Sequence, residues 1–126
     1  MSNNQSMVRA INDAIGAHGA WKLKLRTAIS HKSSDLNPDV VCKDDQCAFG
    51  RWLHGSELDA MTKQGKPYEV VTRLHADFHK CAGTVLRKAI SQESRDAASL
   101  LSGEFEQKSK ILIVALNKWK NELQAV

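Results

Sequence analysis

Aromatic residues make up only 6% of this 126-residue chain, and proline occurs twice. No stretch sustains the polar/apolar alternation of a half-buried strand, and no internal repeat or low-complexity segment is visible. Ala, Leu, Lys and Ser are plentiful instead, a composition that favours helices. Long apolar runs are also missing: none approaches the length needed to cross a bilayer, and Met1-Ser2-Asn3-Asn4-Gln5-Ser6 has no basic segment followed by an apolar core. Neither a membrane span nor a secretory leader is expected, and the expected location is the cytoplasm. Charge of a single sign is lacking too. The balance of 18 Lys and Arg against 14 Asp and Glu leaves +4, but the charges interleave, as in Glu104, Glu106, Lys108 and Lys110. A nucleic-acid footprint needs a one-sign stripe with aromatics among the charges, so no nucleic-acid partner is expected. Three cysteines, an odd number in a reducing compartment, argue against a disulfide framework and leave metal ligation or redox chemistry open. Ser-His-Asp arrangements, phosphate-cradling glycine loops and paired catalytic carboxylates are lacking as well, and no enzymatic activity is expected.

At this length the chain is expected to form a single domain, 1–126, large enough to bury a core without disulfides. Val8, Ile11, Ile15, Leu25 and Ile29 step by threes and fours and predict a helix over 8–29, with His18 in its seam. Gly16, Ala17, Gly19 and Ala20 flank that histidine, and close approach of a neighbouring helix is one reason for two glycines that each cost about 1 kcal/mol in a helix. Ser33 to Asp39 is a turn cluster that opens a connection. A short helix is expected from Cys47 or Ala48 to His54, stopped by Gly55, and another short piece over 56–61. Pro67 suits the first turn of a helix running to Ile90, whose inner face reads Val71, Leu74/His75, Phe78, Ala82, Val85/Leu86 and Ala89. A last helix over 95–123, with Leu101, Phe105, Leu112, Leu116, Trp119 and Leu123, is expected to pack in the bundle or across a dimer interface. The expected fold is all-α: a four-helix-bundle-like domain of three long helices plus one or two short ones.

His75 and His79 lie one helical turn apart on one face and can converge on a transition metal. Alone, such a pair also fits two partly buried imidazoles satisfied by hydrogen bonds. His18 in an apolar seam needs partners for two ring nitrogens, and Cys47 opens the segment Cys47-Ala48-Phe49-Gly50-Arg51-Trp52. Three imidazoles and one thiolate make an N/S donor set that suits zinc. Cys42 reads as a spare thiol that can approach Cys47 on oxidation, Cys81 as a packing residue, and His31 and His54 as capping or surface residues. Asp44, Asp45 and Gln46 either orient the donors or are simply solvated. An iron carrier of the haemerythrin kind calls for carboxylates at helical spacing beside the histidines; Asp77 alone is near, and it points off their face.

In order along the chain stand a histidine shortly before an aromatic (His18-Gly19-Ala20-Trp21), a Cys-x-hydrophobic-Gly-x-aromatic segment (Cys47 to Trp52) and His-x-x-x-His (His75 to His79). The chain thereby resembles the chemoreceptor zinc-binding (CZB) domains of bacteria, with the motif core over 18–79. The resemblance implies zinc bound by His18, Cys47, His75 and His79 in a helical bundle that commonly forms homodimers. It further implies a sensor of zinc, or of oxidants such as hypochlorous acid, working with a chemoreceptor or diguanylate cyclase. No methyl-accepting or GGDEF-type output segment is present in these 126 residues. Four protein donors leave no obligatory open position, which suits sensing or structure rather than hydrolysis. The single thiolate is the donor most easily lost by oxidation, and the alternative is a purely structural zinc-stabilised dimerisation module.

Overall fold

A computed structural model describes residues 4–125; Met1-Ser2-Asn3 and residue 126, and with them the extreme ends of the expected domain and the start of the expected leaderless segment, lie outside the described residues. The helices are α1 (Asn4–Gly19), α2 (Trp21–His31), α3 (Pro38–Val41), α4 (Ala48–His54), α5 (Ala60–Lys63), α6 (Lys66–Ile90), α7 (Ser94–Leu100) and α8 (Glu106–Gln124), with a π-helical turn, Leu101–Phe105, between the last two. No strand occurs among the described residues, as an all-α bundle requires. No helix among them is long and apolar enough to cross a membrane.

Three long rods make the frame. The first is α1 with α2, the second α6, the third α7 through α8; α1 lies along α8, while α2 lies along α6 and α7. The helix expected over 8–29 is thus two segments that part at Ala20, where the backbone has φ −76° and ψ −13°. The bonds Ala20 N–H to Gly16 C=O, 3.2 Å, and Lys24 N–H to Ala20 C=O, 3.4 Å, carry the ladder across the break. Close helix approach is not the reason for the glycines: a Cβ on Gly16 or Gly19 would meet nothing within 4 Å. Their low helix propensity instead weakens the rod beside the break, and each segment then faces a different neighbour. The buried stripe of α1 is Met7, Ile11, Ala14 and His18, one residue round from the Val8/Ile15 phase that periodicity suggested.

Connection 33–47 contains a helix the hydrophobic pattern misses, α3. Asn37 caps it by accepting from Asp39 N–H at 2.9 Å, and Pro38 supplies the fixed φ of the first turn. Four residues are too few for a periodic signal, and among the described residues the short helices outside the three rods number three, against the one or two expected. The piece expected over 56–61 lies at Ala60–Lys63, because the Asp59 carboxylate accepts from Thr62 N–H at 2.8 Å and fixes the start there.

Helix α6 follows its expected stripe, burying Val71, His75, Phe78, His79, Ala82, Val85, Leu86 and Ala89. The third rod buries Ala97, Leu101, Phe105, Leu112, Leu116 and Trp119. Steps of four, as from Ala97 to Leu101 to Phe105, drift by about 40° each on a 3.6-residue helix. The wider π turn absorbs that drift and keeps Phe105 on the inner face, 5.1 Å from the Phe78 ring. The single helix expected over 95–123 is interrupted for that reason.

Candidate metal centre

Each donor is placed by a local feature of its element. His18 lies one turn after Ala14 on α1, and its Nδ1 bonds the Ala14 carbonyl oxygen at 2.7 Å. His75 and His79 project from adjacent turns of α6, with ring centroids 4.5 Å apart. Cys47 is the N-cap of α4, a place usually held by Ser, Thr, Asn or Asp; its sulfur accepts from Gly50 N–H at 3.3 Å. Gly50 is required for a second reason. A Cβ there would sit 1.8 Å from the Asp44 carbonyl oxygen, so only glycine lets the 44–45 backbone close over α4.

All four donor atoms lie within 4.8 Å of one another. His18 Nε2 is 3.1 Å from His75 Nε2 and 3.3 Å from His79 Nε2. Cys47 Sγ is 3.4 Å from His75 Nε2, 3.5 Å from His79 Nε2 and 3.9 Å from His18 Nε2. Zinc bonded to nitrogen at about 2.0 Å and to sulfur at about 2.3 Å has tetrahedral edges of about 3.3 Å for N···N and about 3.5 Å for N···S. The spacings therefore fit a zinc ion.

Hydrogen bonding explains why a cation belongs there. His79 Nδ1 bonds the Val41 carbonyl oxygen at 2.9 Å, as His18 Nδ1 bonds that of Ala14. A carbonyl only accepts, so both Nδ1 atoms carry the proton and both Nε2 atoms present lone pairs. Two such lone pairs 3.3 Å apart have no proton to share between them and call for a positive ion. His75 Nδ1 is buried without a hydrogen-bond partner among the described residues; its ring is oriented by packing against Phe49, at 5.2 Å, and against the other imidazoles.

The surroundings are apolar. Phe49 and Phe78 present edges to His18 at 6.0 and 5.2 Å, and Trp21 lies 6.4 Å from His79. His18, His75 and His79 are at most 2% exposed. Desolvation accordingly holds them neutral: His18 falls to about 4 and His75 to about 2, while His79 is lowered with partial relief from its bond to Val41. Neutral imidazoles are the form that binds metal.

The two carbonyls, Ala14 and Val41, are the partners that sequence reasoning missed. Val41 reaches His79 because α3 lies directly on α6 at Gly83, where a Cβ would come within 2.6 Å of Cys42 Cβ. Asp39 and Arg87 form an ion pair across the same contact. Asp44, Asp45 and Gln46 do not orient the donors through side chains: Asp44 pairs with His54 at 3.0 Å, Gln46 bonds Asp45, and the Gln46 carbonyl accepts from Arg51. Cys42 donates to the Asp39 carbonyl at 3.3 Å and packs on Gly83. Cys81 belongs to the core, and burial pushes its thiol up to about 11. His31 ends α2 at the surface, and His54 ends α4. The cluster contains no carboxylate, which removes the basis for an iron carrier; Asp77 lines a separate surface groove with Lys80, Cys81 and Lys108.

Neither a curated protein nor a solved structure matches the chain. A family model does, that of the chemoreceptor zinc-binding domain, over residues 18–86. The match covers more than half of the chain and begins at the first donor, and zinc is the metal indicated by both the family and the three-His, one-Cys cluster. The chain belongs to the chemoreceptor zinc-binding domain family.

Proposed function

We propose that this chain is a regulatory domain, 1–126, in which zinc held by His18, Cys47, His75 and His79 sets the position of α4, and that a partner reads that position. The observation that carries the reading is the mutual approach of three imidazole Nε2 atoms and one sulfur at tetrahedral spacing, with two of the imidazoles locked by backbone carbonyls. Zinc supplies a cation that satisfies those lone pairs and keeps Cys47 as thiolate.

The donors are unequal. The three histidines are buried on the long helices α1 and α6, whereas Cys47 is half-buried on a loop and caps a helix of seven residues. Attack of the Cys47 thiolate on hypochlorous acid yields a sulfenic acid and chloride. A sulfenic oxygen disturbs the contact to Gly50 N–H and the spacing to the three Nε2 atoms, so α4 loses its tether while the histidines remain in place. Trp52 on α4 lies 5.9 Å from Trp119 on α8, and Tyr68 of α6 donates to the Leu53 carbonyl at 2.7 Å. A shift of α4 is thereby felt on the third rod. Zinc level and oxidant both act through this element, and a cytoplasmic chemoreceptor or a diguanylate cyclase, hence chemotaxis or cyclic-di-GMP control, is the proposed output.

A second reading, a structural zinc-stabilised homodimerisation module, is favoured by one observation: Ile111 and Val114 on α8 are 48% and 67% exposed. Hydrogen exchange separates the two. The regulatory reading predicts that substoichiometric hypochlorous acid raises exchange across 47–54 while 71–89 of α6 stays protected. Exchange across 47–54 that the oxidant leaves unchanged, and that only zinc removal raises, leaves the structural module as the function.

A further inference from the structure

A cleft of about 330 Å³ opens between α1 and α4, and its floor holds two of the four donors, His18 and Cys47. On the α1 side it is lined by Ala10, Asp13, Ala14 and Ala17, on the α4 side by Ala48, Phe49 and Trp52, and Trp21 of α2 lines it as well. His75 and His79 do not line it. The centre thus has an open side, toward Cys47, and a closed side, against α6.

From this geometry we infer that the α1–α4 cleft is the entry and exit port for the metal, and that Asp13, an exposed residue of its lining, guides a divalent cation in. The inference rests on the zinc reading of the preceding subsection and adds a path and a residue to it. Three features of the cleft fit a cation and not a bulky or anionic ligand. Its one ionisable wall residue besides the donors is a carboxylate, which raises the local cation concentration and the encounter rate. Alanines at positions 10, 14 and 17 leave open space that a larger side chain would fill. Cys47 Sγ and His18 Nε2, 3.9 Å apart, are the first donors an ion meets there, with His75 and His79 Nε2 beyond them at 3.4 and 3.5 Å from the sulfur. The half-buried Cys47 thiolate and His18 thus stand between the cleft and the two α6 histidines.

A port alters a barrier and leaves the end states alone, so its obstruction slows loading and release by the same factor and leaves affinity unchanged. The test measures zinc uptake by stopped flow and zinc loss to excess chelator, on the full chain. Ala17→Leu puts a larger group into the cleft at an exposed helical position, where Leu is a good helix former. Asp13→Asn removes the guiding charge. Thr84→Leu, an exposed position on the groove between α6 and α8, is the control. The port predicts that Ala17→Leu slows uptake and loss at least fivefold at constant equilibrium affinity. It also predicts that Asp13→Asn slows uptake in low salt with the difference vanishing at high salt, and that Thr84→Leu exchanges like the unmodified protein. One zinc per chain with the same exchange rates in all four proteins overturns the port. Absence of zinc from the unmodified protein overturns the zinc reading beneath it, which is a distinguishable result.

Discussion

Glycine at position 50 and glycine at position 16 do opposite things, although both stand inside helices. At Gly50 a Cβ would collide with the Asp44 carbonyl oxygen, whereas at Gly16 it would meet nothing within 4 Å. Gly50→Ala is therefore expected to lose about 1–3 kcal/mol, the usual cost of overpacking. Gly16→Ala is expected to gain about 0.5–1 kcal/mol by removing backbone freedom from the unfolded chain. Urea unfolding of the metal-free proteins measures both; a destabilised Gly16→Ala would show that α1 has a close neighbour on that face. That His18, Cys47, His75 and His79 belong together was legible from residue types and spacing, and the fold brings them within 4.8 Å of one another. His-x-x-x-His is a local geometric statement about a helix, and α6 bears it out by burying both rings. Legibility stops at the backbone: the Ala14 and Val41 carbonyls that orient His18 and His79 have no side-chain signature. The first is nevertheless recoverable, since a buried helical histidine readily turns its Nδ1 to the carbonyl four residues back.

Among the elements, α3 is only four residues long, as is α5, yet it bears directly on the centre. It rests on Gly83 and delivers the Val41 carbonyl to His79. Gly83→Ala improves the intrinsic helix propensity of α6 but pushes Cys42, and Val41 with it, away from the helix. Zinc affinity is expected to fall about 10–100-fold, the usual effect of losing an orienting partner of a ligating histidine, with helix content unchanged. Competition against a chelator of known affinity checks it, and an unaltered affinity would mean the Val41 bond is incidental. Periodicity could not find α3, because four residues make barely one turn; its Asn-Pro start was the available signal. The break at Ala20 and the π turn were hidden for a different reason. Both conserve an apolar phase across a change of neighbour or of helical pitch, and a stripe that stays in phase gives no sign of the irregularity that maintains it.

For the whole molecule, the bundle places every histidine donor on a long rod and the cysteine on a short piece between them. The rods keep a hydrophobic core of their own, from Ile11 and Leu25 through Phe78 and Leu86 to Leu112 and Leu116. Metal removal is accordingly expected to loosen α4 rather than unfold the domain. The third rod shows exposed Ile111 and Val114, and the proposed dimer would cover them by pairing through α8. Light scattering on Ile111→Glu/Val114→Glu is expected to give a monomer where the unmodified chain gives a dimer, and an unmodified chain that is already monomeric contradicts that arrangement.

The proposed regulatory role stands or falls with one zinc among His18, Cys47, His75 and His79. Zinc analysis with X-ray absorption on the purified protein tests it most directly, taken together with Cys47→Ala and His75→Ala. One zinc per chain is expected, with three nitrogen neighbours at about 2.0 Å and one sulfur at about 2.3 Å. The sulfur shell should vanish in Cys47→Ala while most zinc is retained, and occupancy should collapse in His75→Ala. A zinc with no sulfur neighbour, or a sulfur shell that survives Cys47→Ala, would contradict it.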